Sequence, residues 1–72
     1  MTKRKDLLKR IKESARQSGI AFKKVRSGSN HDIWVLGTAT IPIPRHSEIR
    51  ERTAEDIFRE CAGMLGEDWW RR

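Results

Sequence analysis

The chain has 72 residues, one cysteine and a formal net charge of +6, from 16 Lys or Arg against 10 Asp or Glu. That length suits one small domain, which buries only about 60% of its extended chain's surface. The single thiol excludes an intramolecular disulfide framework, and frequent charges along residues 1–14 leave no apolar stretch for a signal peptide. The longest nearly uncharged run, residues 33–44, is too short for a bilayer and carries Pro42 and Pro44. The expectation is a cytoplasmic protein folded as one domain over 1–72, with 67–72 as a C-terminal extension. Residues 1–31 hold ten Lys or Arg against Asp6 and Glu13, whereas residues 32–72 hold six Arg against eight acids. A half-chain that basic reads as a footprint for a polyanion, most often nucleic acid; a solvated helix face is the competing reading.

In chain order, the pattern predicts a helix over 3–18, because Leu7, Leu8, Ile11 and Ala15 make one stripe among lysines and arginines. Thr2 is its expected cap and Gly19 its expected stop. The stripe lacks an aromatic, which argues for packing on a core over lying on a membrane. A short strand over 20–26 follows, with Phe22 and Val25 as its core candidates. Ser27-Gly28-Ser29-Asn30 is a turn cluster. His31–Leu36 is the strongest strand, being rich in β-branched and aromatic residues. Gly37-Thr38 turns the chain into a third strand over 39–43, whose prolines place it at an edge or end it early. A loop is expected over 45–51. A second helix is expected from near Thr53, capped by Thr53 with Asp56, and carrying Ala54, Ile57, Phe58, Cys61 and Leu65 on its apolar side. The order predicts an α+β fold, a double-stranded-RNA-binding-like α-β-β-β-α domain. It has a three-stranded antiparallel sheet with both helices on one face.

The chemistry concentrates in Gly28-Ser29-Asn30-His31. Gly28 permits positive φ, and backbone N–H groups in such a turn can converge on a phosphate. Ser29 and Asn30 add short polar arms, while Lys23, Lys24 and Arg26 supply positive charge from the preceding strand. His31 opens a strand, where its imidazole can move protons during phosphodiester cleavage. Taken alone, a histidine after a turn is more often a surface or hydrogen-bonded residue. Arg45 suits a phosphate contact. His46 is a candidate beside it, with a locally bonded loop histidine as the bland reading. His31, His46 and Cys61 show no zinc spacing, so no metal or other cofactor is expected. Cys61 reads as a buried hydrophobe. Trp34 fits either the core or an RNA base on an open sheet face, and strand alternation does not decide which.

The sequence resembles the HicA family of bacterial toxin–antitoxin systems. Gly28-Ser29-Asn30-His31 entering an apolar strand, Ile43-Pro44-Arg45-His46-Ser47 after the third strand, and the closing amphipathic helix carry the resemblance across about residues 5–65. It implies a ribosome-independent mRNA interferase with a double-stranded-RNA-binding-like fold, a catalytic histidine matching His31, and a cognate HicB antitoxin that covers the site. Many members carry a second histidine where this chain has Asn30. The family pattern does not include Trp69-Trp70-Arg71-Arg72. The mechanism expected from the resemblance has His31 taking the proton of a ribose 2′-OH, without a metal. A non-catalytic RNA-binding module is the alternative. A DNA-binding protein fits less well, since no helix-turn-helix pattern is present.

Overall fold

The computed structural model describes residues 1–71. Thr2–Lys3 forms a two-residue strand, β1, and Arg4–Ser18 forms the first helix, α1. Leu7, Leu8, Ile11 and Ala15 are its buried residues, as the stripe requires. Burying each large aliphatic stabilises the fold by about 1.5–3 kcal/mol. The helix ends at Gly19, whose φ of 72° is left-handed. The Gly19 N–H bonds the Arg16 carbonyl at 3.2 Å and the Ile20 N–H bonds the Ala15 carbonyl at 2.8 Å, which is a Schellman motif. Thr2 is not the cap. Lys3 occupies that position without a side-chain bond, because Thr2 belongs to β1.

Three strands follow: β2 at Phe22–Ser27, β3 at His31–Leu36 and β4 at Ala39–Pro44. They form an antiparallel sheet in the order β2-β3-β4. Lys24 pairs with Trp34 and Arg26 with Ile33, so Val25 is the extra residue of a bulge. Alternation from the inward Phe22 already sends Val25 to the uncovered face with Lys23, so it is 52% exposed and not in the core as its apolarity suggested. β4 is an edge strand and runs through to Pro44, so of the two expectations the edge placement holds and the early end does not. The Arg45 N–H bonds the Asn30 carbonyl. Antiparallel alternation then turns positions 42 and 44 towards the free edge, where proline loses no ladder bond.

The segment after β4 contains a second short strand, β5, at Glu48–Ile49, where a loop was expected. β5 pairs antiparallel with β1, Thr2 opposite Ile49 and Lys3 opposite Glu48. The second helix, α2, spans Glu51–Leu65 and starts two residues earlier than the sequence suggested. Arg50 stands at its cap without a side-chain bond, so Thr53 lies inside the helix and caps nothing. The buried side of α2 is the predicted one: Ala54, Ile57, Phe58, Cys61 and Leu65.

Both helices cover one face of the three-stranded sheet, and their buried residues join Trp34, Leu36, Ile41 and Ile43 in a single core. The fold is therefore α+β with the α-β-β-β-α layout. Trp69–Arg71 adds a 3₁₀ turn. Trp69 is buried, and its Nε1–H donates to the Phe58 carbonyl at 2.8 Å. Arg10 donates to the Trp70 carbonyl. The tail thus folds back over both helices; Arg72 lies outside the described residues. Among the described residues, no helix is long and apolar enough to cross a membrane.

Candidate functional site

His31 is the first residue of the central strand and is exposed. Alternation puts Asp32, Trp34 and Leu36 against the helices, and His31, Ile33 and Val35 on the uncovered face. Trp34 is therefore a core residue, 8% exposed, and the base-stacking reading fails. Its ring lies 4.6 Å from that of Phe22 in a stacked pair, with the Lys12 ammonium 5.5 Å from its centroid.

The turn before His31 is closed by its own backbone. The Gly28 N–H donates to the His31 carbonyl at 2.8 Å. Gly28 is not among the glycines with positive φ; its small size is needed for another reason. A Cβ there would stand 2.6 Å from the His31 carbonyl oxygen, inside contact distance. That N–H is spent within the hairpin and does not serve as the expected phosphate donor. Ser29 and Asn30 are exposed at the tip.

Behind the turn lies a residue that the sequence pattern does not single out. Asp32 is 5% exposed, the one buried charged side chain among the described residues. Its Oδ2 accepts from Arg4 Nη2 at 2.8 Å, and its Oδ1 faces Arg45 Nε at 3.6 Å, an ion-pair separation beyond hydrogen-bond length. Arg4 Nε also donates to the Pro44 carbonyl at 2.8 Å, and Arg45 Nη1 to the Gly28 carbonyl at 2.8 Å. With the Arg45 N–H on the Asn30 carbonyl at 3.1 Å, Arg45 ties β4 to the turn at both backbone and side chain. Its first role is thus to brace the loop, although the side chain is still 53% exposed. Alternation held the missed signal: an acid on the same strand face as Trp34 and Leu36 needs a cationic partner.

Asn30 and His31 of the first motif and Pro44 and His46 of the second border one cleft of about 480 Å³, whose lining also includes Glu48, Arg50 and Thr53; Gly28, Ser29 and Arg45 do not line it. Met1 also borders it. The α-amino group of Met1 pairs with Glu51 at 3.1 Å, and the Thr2 hydroxyl donates to the same oxygen at 3.1 Å. These contacts hold the Glu51 carboxyl below its usual pKa. Lys3, Arg4, Lys5 and Arg45 line a second cleft of about 480 Å³, which shares Glu48 with the first. Lys23, Lys24 and Arg26 line neither. Lys23 and Arg26 sit opposite Val35 and Ile33 on the uncovered face, so Arg26 is the cation nearer to His31 along it. Lys24 sits opposite Trp34, on the helix side.

A groove of about 290 Å³ between α1 and the tryptophan tail involves none of the motif residues. Burial, with the nearby Glu60 charge, pushes the Cys61 thiol up to about 12, which makes it a packing residue and no nucleophile. Among the described residues, no three His, Cys, Asp or Glu side chains are grouped to hold a metal ion. Comparison of the chain with protein-family models, curated proteins and solved structures finds no match.

Proposed function

We propose that the protein is an endoribonuclease that uses His31 for proton transfer and no metal. The observation that carries this reading is the placement of His31: exposed, fixed at the start of the central strand, and opening onto a cleft with His46 and Arg50. Phosphodiester cleavage by the ribose 2′-OH needs a base for that hydroxyl and positive charge near the phosphorus. The exposed lysines of α1 and the cations of β2 supply the wider attraction for RNA.

Within that class, the protein is read as an mRNA-cleaving toxin of the HicA type, acting in the cytoplasm and held in check by a HicB-like antitoxin. The Gly28-Ser29-Asn30-His31 and Pro44-Arg45-His46 motifs support this narrower reading.

The test is incubation of purified protein with a defined RNA, with and without chelator. The expected products carry a 2′,3′-cyclic phosphate or 3′-phosphate and a 5′-OH. His31→Ala should slow cleavage by about 10²–10⁴-fold while RNA binding and folding persist. An intact His31→Ala activity overturns the assignment. A wild type that binds RNA and never cuts it makes the protein a binding module. Equal cleavage of DNA, which lacks the 2′-OH, removes the proposed mechanism.

A further inference from the structure

We infer that His46 is the second proton-transfer group of the cleft, the acid that protonates the leaving 5′ oxygen while His31 serves as base. The inference rests on the endoribonuclease reading and adds a catalytic residue to it. In isolation His46 looks like an ordinary loop residue, two positions beyond the end of β4. Its chain neighbours are not loose. On one side, Arg45 bonds the Asn30 carbonyl through its N–H and the Gly28 carbonyl through its guanidinium. On the other, the Ser47 carbonyl accepts the Arg4 N–H at 2.9 Å. The backbone of His46 is therefore pinned before and after, while its side chain is exposed and borders the same cleft as His31. Its volume of about 480 Å³ falls in the range of small-molecule sites.

The titratable and charged groups around this cleft, besides His46, are His31 from β3, Glu48 from β5, Arg50 ahead of α2, and the Met1 α-amino group held by Glu51. Two imidazoles there divide the reaction cleanly. His31 accepts the proton of the 2′-OH as O2′ bonds to phosphorus. The bond from phosphorus to O5′ breaks, and His46, initially protonated, gives its proton to O5′. The products are a 2′,3′-cyclic phosphate and a 5′-OH, and the two histidines end with their protonation exchanged.

The test compares wild type, His46→Ala, His46→Gln and His31→Ala on two substrates: an RNA dinucleotide, and the same dinucleotide with sulfur replacing the bridging 5′ oxygen. A thiolate leaves without a proton, so it needs no acid. The expected result for both His46 variants is a loss of about 10²–10⁴-fold on the oxygen substrate, with the sulfur substrate cut within a few-fold of wild type. The kcat/KM profile of wild type is expected to rise and then fall with pH, with His46→Ala losing the falling limb. His31→Ala should be slow on both substrates. Thermal melts of the His46 variants should match wild type, since the side chain is exposed. The inference is overturned if the His46 variants cut the oxygen substrate normally, if they lose both substrates equally, or if sulfur rescues His31→Ala instead. Wild type inert on both substrates would bring down the endoribonuclease reading as well; wild type active with normal His46 variants brings down only the role of His46.

Discussion

Asp32 shows how much one side chain organises this site. It lies next to His31 in sequence but on the opposite face of the strand, where it holds Arg4 and Arg45. Through them it fixes the Pro44 and Gly28 carbonyls, one on each side of the catalytic candidate. Removing one member of a buried ion pair costs about 3–5 kcal/mol, and the partly exposed guanidinium partners reduce that here. Asp32→Asn should lower the unfolding free energy by about 2 kcal/mol, read as a shift in the urea midpoint at constant m. It should also slow RNA cleavage, although the side chain at that position touches no substrate. An unchanged midpoint would show that the two arginines hold the turn without the carboxylate. The sequence displayed the motif residues themselves, because glycine, histidine and proline are distinctive types at short spacing. Alternation put Asp32 on one face with Trp34 and Leu36 but did not say that this face is the buried one, and its partner Arg4 stands 28 residues away with no local pattern to join them. Val25 is out of the core for a local reason: three positions after the inward Phe22, it falls on the uncovered face with Lys23, so Phe22 and Val25 cannot both face the helices.

At the level of elements, the long ones were legible and the two-residue ones were not. Each helix presents four or five apolar residues at helical spacing, enough for the pattern to override noise. β1 and β5 have no room for any periodicity, yet they decide where the helices begin. Thr2 and Thr53 looked like caps because the β1 and β5 pairing that governs both helix starts joins segments more than forty residues apart. The tryptophan tail is the other element that tertiary contact defines. Trp69 meets Phe58 edge-on at 5.3 Å, and Trp70 stacks on the same ring at 6.0 Å. Trp69→Ala should cost about 3 kcal/mol or more, from the missing apolar burial and from the loss of the indole's bond to the Phe58 carbonyl. A thermal melt measures this, and in a domain this small each 1 kcal/mol moves Tm by about 4–8 °C. A Tm shift of only a degree or two would mean that the tail is an ornament and not part of the core.

For the molecule as a whole, the sequence announced the layered arrangement but not which sheet face stays open, because β3 is apolar on both sides. Charge completes the picture. The basic half of the chain builds α1 and β2, so its cations flank the uncovered sheet face and the helix beside it. Binding of RNA by the His31→Ala variant should weaken steeply with salt, as neutralised phosphates release counterions. Replacing Lys23 and Arg26 with Gln should reduce the magnitude of the log–log slope by about 0.7 for each single-strand phosphate that is no longer neutralised. An unaltered slope would show that RNA avoids the open face. The same sheet is guarded along its two margins. Pro42 and Pro44 interrupt one of them, and the Val25 bulge with its neighbouring Lys23, Lys24 and Arg26 distorts and charges the other. Neither margin offers a continuous template on which a second chain could extend the ladder. A domain with a thin stability margin can therefore breathe at high concentration without seeding fibrils through its own strands.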